Sequence, residues 1–67
     1  MVQAIINGEE VELAEGMTVE AYVLERGFSL ERIAVELNGQ IVPKARYAQT
    51  VIHDRDAMEI VNFVGGG

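Results

Sequence analysis

The residues of this 67-residue chain whose type and placement best suit covalent chemistry are the last three, Gly65-Gly66-Gly67. A C-terminal carboxyl has a reference pKa of ~3.3–3.7, so at neutral pH it is ionised and a poor electrophile. Converted to an acyl-adenylate, its carbonyl carbon becomes open to a sulfur nucleophile. Glycine suits such a task, because a chain without Cβ threads a channel barely wider than a backbone. At ~3.6 Å per residue, the stretch from Val64 to Gly67 reaches roughly 10–14 Å into a partner. The expected organisation is a single folded domain over residues 1–64 and a flexible glycine tail over 65–67, with Gly65 and Gly66 threading and Gly67 reacting. By composition alone three glycines also describe a frayed chain end. The pattern becomes specific only when joined to what precedes it.

Other chemistries are poorly provided for. There is no cysteine, hence no disulfide, thiolate metal site or thiol nucleophile. The single histidine, His53, cannot build a zinc site from imidazoles; beside Asp54 it reads as a structural turn residue. Glu9-Glu10-Val11-Glu12 lacks the ligand spacing of a calcium loop. A domain of this size buries only roughly 60% of its unfolded surface, which leaves little room for an enclosed active site. The chain therefore reads as a substrate, subunit or ligand of another protein rather than as an enzyme, with no metal and no permanently bound cofactor.

Eleven Asp or Glu against five Lys or Arg give a net charge of −6. That balance argues against nucleic acid and against anionic membranes, and favours a basic protein partner, chiefly through association rate. No apolar run approaches the ~18 residues of a membrane helix. Met1 leads straight into Val2-Gln3-Ala4-Ile5-Ile6 without a basic leader segment, and a cytoplasmic location is expected.

The elements that must position the tail are legible in outline. Asn7-Gly8 between apolar runs predicts a hairpin of residues 2–6 and 10–14, since a type I′ turn needs positive φ at both central residues. Thr18 is placed to cap a helix beginning at Val19, with Met17 and Tyr22 as a hydrophobic staple. Val19, Tyr22 and Val23 form its buried stripe, and Gly27 is placed to end it. Arg26 occupies the next stripe position, its stem along the core edge and its head wet. A third strand spans about 33–38. Asn38-Gly39 turns it into a short strand at Gln40-Ile41-Val42, which Pro43 terminates. Lys44 to Tyr47 suggests a turn of helix, and Tyr47 is expected at the core edge. Asp54-Arg55-Asp56 reads as a polar turn. The last strand is expected from Met58 to Val64, with Met58, Ile60 and Asn62 on one face and Glu59, Val61 and Phe63 on the other. One main helix against one face of a small mixed sheet is an α+β layer arrangement.

Joined together, these segments resemble a known family. Thr18-Val19, the run Ile33-Ala34-Val35-Glu36-Leu37-Asn38-Gly39-Gln40-Ile41-Val42-Pro43 and the run Asp54 to Gly67 are similar to the ThiS-type sulfur carriers of thiazole formation in thiamine biosynthesis. The resemblance covers the whole chain, Asn7-Gly8 included. It departs from the pattern at Tyr22 and Arg26, where leucines are common, and at Asn62, where histidine is frequent. It implies a ubiquitin-like β-grasp with a four- to five-stranded sheet. It implies a ThiF-type, E1-like adenylyltransferase that spends Mg-ATP to adenylate Gly67, and a sulfur donor linked to a cysteine desulfurase that yields a thiocarboxylate. A ThiG-type thiazole synthase would then accept the sulfur.

Partners are expected to grip an apolar patch beside the tail, formed by Val61, Phe63 and Val64 with Ile5 of the first strand. Two other readings stay open. One is a carrier of the same chemistry serving molybdopterin, cysteine or another thio-metabolite; the other is a non-covalent ubiquitin-like binding module.

Overall fold

The computed structural model describes residues 1–63. Its strands are β1 (Val2–Ile6), β2 (Glu9–Leu13), β3 (Ile33–Leu37), β4 (Gln40–Val42) and β5 (Ala57–Asn62), with one α-helix, α1 (Val19–Glu25), between β2 and β3. The sheet order is β2-β1-β5-β3-β4. Every pairing is antiparallel except that of β1 with β5. The last strand of the described residues, β5, is therefore the middle strand of the sheet.

Both Asn-Gly pairs make the turns their sequence calls for. Asn7 and Asn38 each hold φ of 51°, followed by Gly8 at 82° and Gly39 at 83°. Positive φ at both central residues carries the right-handed twist of a hairpin. β2 begins one residue earlier than the alternation suggests, because the two-residue turn lets Ile6 pair directly with Glu9.

Helix α1 is closed at both ends. At its start the Thr18 hydroxyl accepts from the Ala21 amide at 3.1 Å. The Val19 and Glu20 amides donate to the carbonyls of Thr50 (2.8 Å) and Tyr47 (3.0 Å). At its end Gly27 takes φ of 86°. Its amide then reaches the Leu24 carbonyl, and that of Phe28 reaches Val23, the paired bonds of a Schellman ending. Arg26 follows the expected compromise: the residue is exposed, its Nε donates to the Tyr22 hydroxyl at 3.2 Å, and its guanidinium carbon lies 5.4 Å from the centre of the Tyr22 ring.

Val19, Tyr22 and Val23 pack with Val2, Ala4, Ile6 and Leu13 of the hairpin and with Ile33, Val35, Val42, Met58 and Ile60 of the other strands. Among the described residues all the buried side chains are hydrophobic. Tyr47 departs from expectation: it is 2% exposed and belongs to the core rather than its edge. The cause is the segment after it. That segment folds across the start of α1, where Thr18 bridges Val51, the Ile52 amide donates to Met17, and Ile52 is fully buried. Leu30–Arg32 forms a 3-10 turn capped by Ser29. Its Glu31 meets Lys44 at 2.7 Å. The hydrogen bond and charge of Lys44 hold the Glu31 carboxyl below its ordinary pKa.

Replacing Thr18 by Ala removes the cap bond from the Ala21 amide. The expected loss is about 1 kcal/mol, or a fall in Tm of roughly 4–8 °C for a domain this size, measured by thermal and urea unfolding.

Candidate functional site

The site is built on β5, which has a bonded neighbour on each side. Toward β3 it runs five residue pairs, from Leu37 opposite Met58 to Ile33 opposite Asn62. The Phe63 amide extends this edge by donating to the Arg32 carbonyl at 2.6 Å. Toward β1 it runs only two pairs, Ile5 with Ala57 and Ile6 with Met58. Alternation places Met58 and Ile60 in the core and leaves Ala57, Glu59 and Val61 exposed. Asn62, expected with the inner set, is exposed, and the strand ends there rather than at Val64.

Of the expected patch residues, Val61 and Phe63 are each 53% exposed and Ile5 is 44% exposed. They do not form one cluster. Ile5 is level with Ala57, four residues before Val61 and so about 13 Å away along the strand at ~3.3 Å per residue. The chain turns away at Asn7-Gly8, and β1 never runs beside the end of β5. The neighbour of Val61 is instead Ala34 of β3. Next in the sheet comes Ile41 of β4, 76% exposed and opposite Glu36. Ala34, Glu36, Ile41, Glu59 and Val61 line a shallow groove of about 210 Å³. Ile41 was legible: with Val42 inward, its neighbour in a strand must face out. The remaining expected site residues, Val64, Gly65, Gly66 and Gly67, lie outside the described residues.

The groove's charge is one-sided. Glu36 and Glu59 stand directly opposite each other across β3 and β5, an arrangement that disfavours the free sheet. Glu10 and Glu12 alternate outward on β2, beside Ile5 and Gln3. Such a face suits apolar anchors ringed by Lys or Arg. Among the described residues no group of three or more His, Cys, Asp or Glu is placed to hold a metal ion, and no helix is long and apolar enough to cross a membrane. His53 is exposed, with Nδ1 4.0 Å from the Asp56 carboxylate. The Asp56 carboxylate itself accepts from the His53 amide at 2.8 Å, as expected of a turn.

Comparison with known proteins places this geometry. The model of the ThiS family matches residues 2–67. A thiazole synthase of Paramagnetospirillum magneticum is 51% identical over 63 residues, which cover 94% of this chain and 19% of that protein. The chain thus spans about a fifth of the length of that relative, and the same 19% of a thiazole synthase from Magnetococcus marinus. The sulfur carrier protein ThiS of Bacillus subtilis is 35% identical over 63 residues, 92% of this chain and 96% of that one. A crystal structure of the thiamine biosynthesis protein ThiS from Geobacter metallireducens superposes with a TM-score of 0.81 at 29% identity, covering 98% of this chain and all of that one. The mixed five-stranded sheet with one helix is the β-grasp arrangement that these neighbours share.

If the outer face is free surface rather than hidden core, its residues should be replaceable. Ile41→Thr, Val61→Thr and Phe63→Thr should each change the unfolding free energy by no more than about 0.5 kcal/mol in urea titrations. Losses of the size seen for buried residues would show that the face belongs to the core.

Proposed function

The chain belongs to the ThiS family, and from that premise we propose that it is a sulfur carrier of thiamine biosynthesis whose reactive group is the carboxylate of Gly67. The observation that carries this reading is the family match, which runs through the glycine tail to residue 67. The protein supplies a substrate group; the chemistry belongs to the enzymes that hold it.

The reaction follows from what a glycine carboxylate can and cannot do. As an anion it resists nucleophiles. A ThiF-type adenylyltransferase overcomes this by letting a carboxylate oxygen attack the α-phosphorus of Mg-ATP, forming an acyl-adenylate and releasing pyrophosphate. The terminal sulfur of a persulfide, supplied through a cysteine desulfurase, then attacks the acyl carbon and displaces AMP. Two electrons from a thiol split the resulting sulfur–sulfur bond and leave a thiocarboxylate. Gly65 and Gly66 let the end enter a narrow channel, since any side chain there would widen the passage required.

A ThiG-type thiazole synthase is the proposed acceptor. Support comes from the two relatives named thiazole synthase, of which this chain matches a fifth. Docking is assigned to the outer face of β5, β3 and β4, where Val61 and Ile41 are the exposed apolar anchors and Glu36 and Glu59 the charges. A partner with basic residues around an apolar contact relieves the repulsion between those two carboxylates. Its affinity should therefore fall with salt.

Incubation with ATP, an adenylyltransferase of the ThiF type and a sulfur source should add the mass of one oxygen-to-sulfur exchange. Deleting Gly67 should abolish that gain while leaving the unfolding curve unchanged. Val61→Arg or Ile41→Arg should lower kcat/KM for loading about tenfold, the cost of a moderate hot spot. No mass gain under conditions that load an established carrier would overturn the reading.

A further inference from the structure

Strand β5 hydrogen-bonds alternately to its two sides. Ala57 accepts from the Asn38 amide at 2.7 Å and Phe63 donates to Arg32 at 2.6 Å, so the odd-numbered residues face β3. The carbonyls of Asp56 and Met58 accept from the amides of Ile5 and Asn7, each at 2.8 Å, so the even-numbered residues face β1. By this alternation the next pair of groups due on the β1 side belongs to Ile60. But β1 ends at Ile6, and the turn at Asn7-Gly8 carries the chain away. A core residue such as Ile60, 7% exposed, would be left with an unpaired backbone amide and carbonyl, which is costly.

The side chain of Asn7 fills that place. Its Oδ1 accepts from the Ile60 amide at 2.7 Å, and its Nδ2 donates to the Ile60 carbonyl at 3.3 Å. A primary amide offers the same donor and acceptor as a peptide unit, so Asn7 acts as one further residue of β1. Beyond Ile60 the described chain runs only three more residues. Asn7 is its last restraint on the β1 side, as the Arg32 carbonyl is on the β3 side.

We propose that Asn7 is a positioning residue for the loading of the C-terminal glycine: by bonding both backbone groups of Ile60 it fixes the end of β5 that precedes the tail. This rests on the sulfur-carrier reading above. Asn7 bonds the backbone of Ile60 and does not line the outer-face groove of Ile41 and Val61. Its loss should lower the rate at which a docked chain is activated and leave docking itself intact.

The molecule contains its own control. Asn38 sits in a turn of the same geometry and also makes two side-chain bonds to this part of the chain. Its Oδ1 accepts from the Ala57 amide at 2.9 Å, and its Nδ2 donates to Asp56 Oδ1 at 2.9 Å. Those bonds hold the beginning of β5, at the end away from the tail. Asn7→Gly and Asn38→Gly both yield Gly-Gly, which suits a type I′ turn, and each removes two side-chain hydrogen bonds.

In the full chain, Asn7→Gly should speed amide hydrogen exchange at Ile60 about tenfold, the worth of a lost net hydrogen bond or two. It should lower kcat for thiocarboxylate formation about tenfold with KM unchanged. Asn38→Gly, at a comparable loss of Tm, should speed exchange at Ala57 and leave kcat and KM within about twofold of the wild type. Asn7→Asp, which keeps the Oδ1 acceptor and the turn but loses the donor, should fall between wild type and Asn7→Gly in both readouts. It carries the test if Asn7→Gly unfolds. Equal loss of kcat in the Asn7 and Asn38 variants would reduce Asn7 to a stability residue and overturn the proposal. So would unchanged exchange at Ile60. If the wild-type chain is never loaded, the carrier reading fails instead, and exchange at Ile60 still decides whether the restraint exists.

Discussion

The constraint on which the rest of the molecule depends is the parallel pairing of β1 with β5. It puts the last strand in the middle of the sheet, where both edges are bonded and one face is buried under α1. A central strand cannot shift register without moving core residues to solvent. Met58 and Ile60, both in the core, therefore fix the register of β5. A last strand at the sheet edge would leave its end to slide or fray. Here β5 is bonded to β1 on one side and to β3 on the other.

That arrangement separates two tasks that conflict in one small domain. A reactive end must be accessible, while a domain of this size buries only roughly 60% of its unfolded surface and has little stability to spare. The inner face of β5 serves the core and its outer face is free to meet partners. The outer face also carries local costs that the interior does not tolerate: the opposed Glu36 and Glu59, and Ile41 at 76% exposure. Residues that a free monomer would do better without are the ones a partner can use.

Much of this was readable from local pattern. The Asn-Gly turns, the Thr18 cap, the Gly27 ending and the Pro43 stop follow from backbone preferences and side-chain periodicity, which act over a few residues. What was not readable depends on which distant segments meet. Alternation says which face Ile5 takes, not that Ala57 rather than Val61 lies beside it, because strand pairing is set by the whole topology. Tyr47 and Ile52 sit in irregular chain with no period to read, and only their packing at the start of α1 buries them. The roles of Asn7 and Asn38 were half visible. Their φ preference marked the turns, but the bonds of their side chains to β5 appear only once the last strand lies between them. The glycine tail takes on a specific chemical reading only together with the ThiS-like runs before it, and it lies outside the described residues.

The central claim is that the Gly67 carboxylate is activated by an ATP-consuming partner. Adenylation is reversible, so the most direct measurement is exchange of labelled pyrophosphate into ATP by a ThiF-type enzyme in the presence of this chain. The account predicts exchange that requires the chain and disappears when one residue is appended after Gly67. Exchange that is equally strong with the appended residue, or absent with the native end, would contradict it.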